Sequence, residues 1–199
     1  MIKVDLKGSE KEFESGVSVA EVAKSIGMGL YKSACAAKVN GEVCDLRTVL
    51  NEDCKVEILT FDDKEGKKAY WHTASHIMAQ AVNRLYPGTK FAIGPAVDNG
   101  FYYDMELPQA ITNDDLAKIE AEMKKIVKEN LKFTVYEKPR AEAIALMEER
   151  GEKYKVEHIG DLDDDARITF YQQGDYIDMC VGPHICYTCL LYTSPSPRD

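Results

Sequence analysis

The sequence predicts an α+β protein built from two units. Residues 1–61 show the order strand, strand, helix, strands, which is typical of a small β-grasp, a curled sheet packed on one helix. A short polar segment at 62–68 then reads as a linker. Beyond it, at 69–188, helices and hairpins occur without the regular alternation of βαβ repeats. The second unit is therefore predicted to be a separate α+β domain.

Short-range signals place the elements of the first unit. Alternating apolar residues at 2–6 predict a strand, which Gly8-Ser9 turns into a second one. Ser18 is followed three residues later by Glu21, a capping box that predicts a helix start. Asn40-Gly41 predicts a tight turn between two further strands. A unit this small, with no clustered polar chemistry, is predicted not to be an enzyme by itself.

The second unit opens with a predicted helix at 69–86, which Pro87-Gly88 ends. Asp98-Asn99-Gly100 predicts a hairpin between 89 and 107. The remaining predicted elements are helices at 113–130 and 139–151 and strands at 133–136, 154–156, 168–171 and 176–179.

Charge and hydropathy limit the classes of partner. The 199 residues include 25 Lys and Arg against 34 Asp and Glu, a formal net charge of -9. Any nucleic-acid surface must therefore be a local basic patch. No apolar run approaches the roughly 18 residues that span a membrane. Residues 1–6 alternate where a signal peptide would be continuously apolar, so a cytoplasmic protein is expected.

The six cysteines are predicted to be reduced thiols, since no secretory signal accompanies them. Cys35, Cys44 and Cys54 lie in apolar, strand-like surroundings and are predicted to be small core residues. Cys180 differs because a histidine follows it at close spacing.

Two spaced pairs of histidine and cysteine carry the candidate chemistry. His72 and His76 are four residues apart on a predicted helix, so both imidazoles leave the same face. Cys180 and His184 flank a rigid Val-Gly-Pro turn. The four side chains could converge as the tetrahedral set that zinc accepts, or they could form a metal-free hydrolytic pocket. His158 is isolated in a loop-like stretch and is predicted to be structural.

Longer motifs around these pairs resemble a known family. They are His72-x-x-x-His76, Ala92-Ile93-Gly94-Pro95, Asp98-Asn99-Gly100-Phe101-Tyr102-Tyr103-Asp104, Gly151-Glu152-x-Tyr154-Lys155-Val156 and Tyr176-x-Asp178-Met179-Cys180-x-Gly182-Pro183-His184. Through them, residues 69–188 resemble the editing domain of bacterial threonyl-tRNA synthetases, and residues 1–61 resemble the ubiquitin-like TGS domain. Alanyl-type editing domains share only the two His/Cys pairs, and other TGS-bearing proteins share only the first unit.

The resemblance implies a hydrolase that removes serine from threonine tRNA, as part of a threonine–tRNA ligase. Lys155 would stabilise the oxyanion or bind the terminal ribose or phosphate, and Asp178 would orient a histidine or take the substrate ammonium. Cys180 is expected to line the pocket rather than to attack the substrate. The implied catalytic residues are His72, His76, Lys155, Asp178, Cys180 and His184.

The resemblance also implies hydrolysis without a tightly bound metal, with zinc as the alternative. A catalytic zinc needs an open position, which four protein ligands would not leave. ATP, magnesium and a further zinc are expected only for the aminoacylation core that the family places after residue 188. The implied partners are threonine tRNA and, through those later domains, a second copy of the chain. No membrane partner is expected.

Three expectations concern the rest of the chain and the alternatives. Residues 189–199 fit neither unit, and we expect them to be a non-native tail that follows an incomplete editing domain. A freestanding deacylase that edits in trans is one alternative function. A non-catalytic RNA- or partner-binding module with a structural zinc is the other.

Overall fold

The computed structural model describes residues 1–192, and it confirms the α+β class. Among these residues, no helix is long and apolar enough to cross a membrane. The elements of the N-terminal unit are β1 (Ile2–Leu6), β2 (Ser9–Phe13), β3 (Val17–Ser18), α1 (Val19–Ile26), α2 (Met28–Ser33), β4 (Ala36–Val39), β5 (Glu42–Cys44), β6 (Val49–Leu50) and β7 (Cys54–Leu59).

Five of these strands form one sheet in the order β2-β1-β7-β4-β5, in which β1 and β7 run parallel. The predicted capping box is present, because the Ser18 hydroxyl accepts from the Glu21 amide while the Glu21 carboxylate accepts from the Ser18 amide. The predicted Asn40-Gly41 turn joins β4 to β5, and both residues have positive φ. Helix α1 buries Val19 and Val22 against the sheet.

The elements of the second unit are α3 (Lys64–Leu85), β8 (Lys90–Phe91), β9 (Ala96–Val97), β10 (Gly100–Phe101), β11 (Met105–Glu106), α4 (Asn113–Lys128), β12 (Phe133–Glu137), α5 (Arg140–Glu149), α6 (Lys153–Asp161), β13 (Thr169–Gln173) and β14 (Tyr176–Met179). The unit is built around the long helix α3 and a three-stranded antiparallel sheet of order β12-β13-β14. Helix α3 packs on α4 through apolar residues that include Ile77, Val82 and Ile126.

Alternation along the sheet decides which side chains face the helix α3. Phe170 and Met179 are a cross-strand pair that packs in the core with α5 and α6. Their neighbours Tyr171 and Asp178 form the next pair and therefore point to the opposite face. Cys180, two residues after Asp178, continues on that same face.

The predicted strand at 154–156 is wrong, since this segment lies within the helix α6. Lys155 and Ile159 are both buried, and their spacing of four residues matches one face of a helix. A pattern of three alternating residues is too short to distinguish the period of a strand from that of a helix. Lys155 therefore projects from a helix and not from a strand.

The structure also differs at the predicted linker, because α3 begins at Lys64 and most of 62–68 is helical. Gly66 lies so close to the chain before it that an added Cβ would meet the Thr60 carbonyl oxygen at 1.9 Å. The core of the first unit continues into the second through Ala69, Tyr70 and Ile185. The two units are therefore distinct sets of elements that share one apolar core.

The tail expected to be non-native is only partly described. Thr188–Tyr192 form a short 3-10 helix in which Leu190 is buried against the shared core. Residues 193–199 lie outside the described part of the chain.

Candidate functional site

Two distant segments bring His72, His76, Cys180 and His184 together. The first pair lies on α3 and the second pair flanks the loop that follows β14. One ligand atom from each of the four lies within 4.8 Å of the others. The His184 ring centroid is 4.3 Å from that of His72 and 4.2 Å from that of His76. The predicted convergence of the two pairs is thus present in the fold.

The conformation of the loop depends on one glycine. Gly182 has a φ of 67°, in the left-handed region that side chains with a Cβ rarely adopt. An added Cβ would also lie 2.2 Å from the Tyr171 hydroxyl oxygen. The chain can therefore turn back toward α3 at this point, with Tyr171 packed against the turn.

Thr73 determines which nitrogen of His184 carries the proton. Its hydroxyl donates to the Ala69 carbonyl at 3.0 Å and accepts from the Ile185 amide at 3.1 Å. The single hydroxyl proton is thereby used, so the contact of 3.0 Å to His184 Nδ1 must be one in which the ring donates. His184 Nε2 is left with a lone pair, which faces Cys180 Sγ at 3.2 Å.

Burial keeps this cluster uncharged at neutral pH. Loss of hydration lowers the pKa of His76 to about 3, and it lowers the pKa values of His72 and His184 as well. The same cause raises the pKa of the Cys180 thiol well above its usual range. Cys180 is therefore a thiol whose proton points to His184, and not a thiolate.

His72 is held by the loop through its ring. The Pro183 backbone raises the pKa of this imidazole against the effect of burial, and because Pro183 has no N–H, the ring nitrogen that faces it is the protonated one. Its other ring nitrogen keeps a lone pair. His72 is also the least buried of the three clustered histidines, and it lines the neighbouring cavity. It is therefore the base of the cluster that is most exposed to solvent.

A buried ion pair lies beside the histidines. Lys155 Nζ is 2.7 Å from Asp178 Oδ1, and both side chains are almost fully buried. Tyr103 donates to Asp178 Oδ2 at 2.5 Å, and His76 Nε2 is 3.5 Å from the same oxygen. Burial would raise the pKa of Asp178, but the Lys155 ammonium and these neighbours lower it on balance. Asp178 is therefore ionised.

These groups line a cavity of about 610 Å³ that is open to solvent. His72, His76, Lys155, Asp178 and Cys180 all contribute to its wall. His184 lies behind Cys180 and is fully buried. Five of the six residues predicted for the site thus face the cavity, and the sixth supports them.

Sequence reasoning did not single out two residues at this site. Tyr103 lies in the motif at 98–104, for which the sequence indicates no separate role, and it donates to Asp178. His158, predicted to be structural in a loop-like stretch, lies on α6 and lines the cavity. A helix prediction for this segment would have placed His158 one turn from Lys155, on the same face.

The four ligand atoms also form a donor set that zinc accepts. Tetrahedral zinc holds such atoms about 3.3–3.8 Å apart, so the widest pair would have to close by roughly 1 Å. His76 Nδ1 is buried and has no hydrogen-bond partner among the described residues. The residues present therefore fit a metal after a small contraction.

Comparison with known proteins identifies the N-terminal unit. Residues 4–60 match the model of the TGS domain family. We refer to the N-terminal unit, residues 1–61, as the TGS domain after the family that it matches. Together with the cavity-bearing unit, the chain is 55% identical over 186 residues, 93% of its length, to threonine--tRNA ligases of Clostridioides difficile (strain 630), Clostridium acetobutylicum and Acetivibrio thermocellus.

The similarity concerns only part of those proteins. The chain spans 29% of the length of each of these relatives, corresponding to their N-terminal region. The expected resemblance to the N-terminal part of a threonine–tRNA ligase is thereby confirmed, with a TGS domain followed by the unit that contains the His/Cys cluster.

Proposed function

We propose that this chain hydrolyses the ester that joins serine to the terminal ribose of threonine tRNA. The observation that carries the proposal is the base His72, which is neutral, oriented and exposed to a cavity of about 610 Å³ beside a buried ion pair. The similarity to threonine--tRNA ligases supplies the substrate class, because such enzymes handle threonine tRNA.

A second, hydrolytic site is needed for a physical reason. Serine lacks one methyl group of threonine, and one such group discriminates by only about 1–3 kcal/mol. A site that attaches threonine to tRNA must hold a hydroxylated side chain, and it cannot reject the smaller serine by size. A separate cavity that admits serine and excludes threonine removes the error after it is made.

In the proposed reaction, water attacks the ester carbonyl carbon while the free nitrogen of His72 accepts a proton from it. The neutral imidazole is suited to this transfer because it is unprotonated at neutral pH. The tetrahedral oxyanion then collapses, the bond to the ribose oxygen breaks, and the proton passes to that oxygen. The products are serine and tRNA with a free terminal hydroxyl.

The buried ion pair supplies a positive charge for this reaction. Lys155 lines the cavity with a charged ammonium, which is suited to stabilise the oxyanion. Asp178 is occupied by Lys155 and Tyr103, and its second oxygen lies 3.5 Å from His76. Of the two roles expected for Asp178, orientation of a histidine therefore has the stronger geometric support.

Direct attack by Cys180 is disfavoured. Its thiol pKa is raised by burial, and its proton is directed at His184. Mass spectrometry of protein mixed with threonine tRNA charged with serine should therefore detect no acyl-enzyme. A serine adduct on Cys180 would replace the water mechanism with a covalent one.

We also propose that the hydrolysis proceeds without a tightly bound metal. If zinc is bound, His72, His76, Cys180 and His184 are the residues that would hold it, and the ion would polarise a carbonyl or water. Occupation of all four would consume the free nitrogen of His72 and leave no base in the cavity. Elemental analysis of protein purified without chelator should find less than one zinc per chain, and chelation should not reduce hydrolysis.

The deciding experiment measures release of serine and of threonine from threonine tRNA charged with each. We expect the full chain to accelerate loss of serine and to leave the threonine ester intact. Serine loss no faster than in buffer would refute the proposal. Stoichiometric zinc together with absent hydrolysis would instead favour the second candidate, a binding module with a structural zinc, which the four-residue donor set supports.

A further inference from the structure

A loop of the TGS domain between β5 and β6 contacts the candidate site. Asp45 and Arg47 lie on this loop, and both side chains are largely buried. The residue between them, Leu46, is fully buried in the apolar core of the TGS domain. Leu46 therefore anchors the loop, while the charged residues on either side reach into the other unit.

Asp45 holds the backbone of His184 directly. Its Oδ2 accepts from the His184 amide at 3.1 Å and from the Tyr171 hydroxyl at 2.9 Å. Its Oδ1 accepts from the amide and the guanidinium of Arg47, each at 2.7 Å. Both carboxylate oxygens are thus engaged, one toward the site and one toward Arg47.

Arg47 binds three backbone carbonyls of the second unit. Nη1 donates to the His184 carbonyl at 3.1 Å, Nη2 to the Ile185 carbonyl at 2.7 Å and Nε to the Phe133 carbonyl at 2.8 Å. A planar guanidinium presents these donors in a fixed fork, which a lysine cannot reproduce. The peptide groups on both sides of His184 are therefore held from the TGS domain.

These contacts lead to the catalytic base in two steps. Asp45 binds the amide of His184, which is part of the Pro183–His184 peptide group. The His184 ring centroid lies 4.3 Å from that of His72. A shift of this peptide group would move the ring that packs against His72.

We propose that Asp45 and Arg47 are positioning residues for the site, supplied by the TGS domain. They hold the backbone of the loop on both sides of His184, so that the His184 ring packs against His72 and contacts Cys180 at the cavity wall. The TGS domain is then a structural part of the site rather than an appended module. This inference rests on the proposed function only where hydrolysis is the readout.

Asp45→Asn is the sharpest test because it preserves shape. An asparagine side chain has one oxygen and one NH₂ group, so it can accept from the Arg47 side or from the His184 side but not from both. Asp53→Asn is the matched control, since Asp53 is in the same domain and also accepts from a backbone amide, that of Lys3, away from the site.

The first readout is amide hydrogen exchange of the full chain. In Asp45→Asn we expect exchange at 182–185 to accelerate by about tenfold or more, because hydrogen bonds to a charged group are lost. Exchange in the strands β1 and β7 should stay as in the unsubstituted chain, and Asp53→Asn should leave 182–185 unchanged. Unchanged exchange at 182–185 in Asp45→Asn would overturn the inference whether or not the chain is a hydrolase.

The second readout is hydrolysis of threonine tRNA charged with serine. Asp45→Asn and Arg47→Lys should lower kcat by about 10- to 100-fold and leave KM within about twofold, because neither residue touches the substrate. If Asp45→Asn does not fold, Arg47→Lys answers the same two questions. A rise in KM with unchanged kcat would contradict a positioning role, and inactivity of the unsubstituted chain would refute the proposed function and leave the exchange result to decide the positioning.

Discussion

The interior of the TGS domain and the interior of the second unit are built from different kinds of side chain. Within residues 1–191, the almost completely buried side chains of the TGS domain are apolar, and its Asp45 and Arg47 keep some exposure at the contact with the second unit, whereas every almost completely buried polar or charged side chain lies in the second unit. They are Thr73, Ser75, His76, Gln80, Thr89, Asp115, Lys155, Gln173, Asp178, His184 and Thr188.

The difference shows that the second unit holds reactive groups in its interior at a cost in stability. A buried polar group destabilises the fold unless it is hydrogen-bonded, and a buried charge does so unless it is paired. The side-chain atoms that are buried without a partner also lie in the second unit, on Trp71, His76, Gln80 and Gln173. The TGS domain is packed for stability, and the second unit keeps reactive groups away from water.

Replacing His72 should separate activity from stability most strongly. In His72→Ala we expect serine release to fall about 10²- to 10⁴-fold, because the base is lost. The free energy of unfolding should change by only about 1 kcal/mol, since the side chain lines the cavity. Hydrolysis assays and urea unfolding measure the two effects, and unchanged hydrolysis would remove His72 from the mechanism.

Breaking one ion pair in each region tests the contrast in burial. Lys155→Met leaves the Asp178 carboxylate buried and unpaired, and it should lower the free energy of unfolding by about 3–5 kcal/mol. Lys7→Met breaks an exposed pair with Glu57 in the TGS domain and should change it by about 0–1 kcal/mol. Equal effects of the two substitutions in urea unfolding would contradict this difference in burial between the two ion pairs.

Removing a large side chain from the apolar core of the TGS domain should lower stability and leave hydrolysis unchanged, which is the reverse of the result expected for the His72 substitution. Leu59 is buried in the TGS domain, and Leu59→Ala should lower the free energy of unfolding by about 2–5 kcal/mol. Hydrolysis per folded molecule should stay within about twofold, because Leu59 does not line the cavity. A large loss of kcat in fully folded protein would show that the core of the TGS domain tunes the site.

Acid should destabilise the second unit through its neutral histidines. His76 has a folded pKa of about 3 against a usual value of 6.5, so the unfolded chain binds more protons between these values. Stability is therefore complete above pH 6.5 and is lost as the pH falls toward 3, at up to about 1.4 kcal/mol per pH unit for this group.

Urea unfolding from pH 6.5 down to 4.5 checks this slope, because most carboxylates titrate lower. His76→Gln should flatten the dependence. His158→Gln is the control, since His158 is exposed on α6, and it should leave the slope as it was. A flat curve for the unsubstituted chain would contradict the buried, neutral state of the histidines.

Local signals were sufficient for much of the fold and for half of the site. The capping box at Ser18 and the Asn40-Gly41 turn are confirmed because each depends on residues within a few positions of one another. His72 and His76 share a face of α3 for the same reason. Where the pattern was short, at 154–156, the predicted strand proved to be a helix.

The sequence by itself therefore determined the α+β class and the residue types of the cluster, since helix periodicity and turn chemistry act over a few residues, and its resemblance to a known family indicated the TGS domain. Only the tertiary structure decided that Cys180 and His184 meet α3, that His184 lies behind the cavity wall, and that Asp45 and Arg47 of the TGS domain hold its backbone. These contacts join residues more than a hundred positions apart. They depend on how whole elements pack, and no spacing along the chain encodes that.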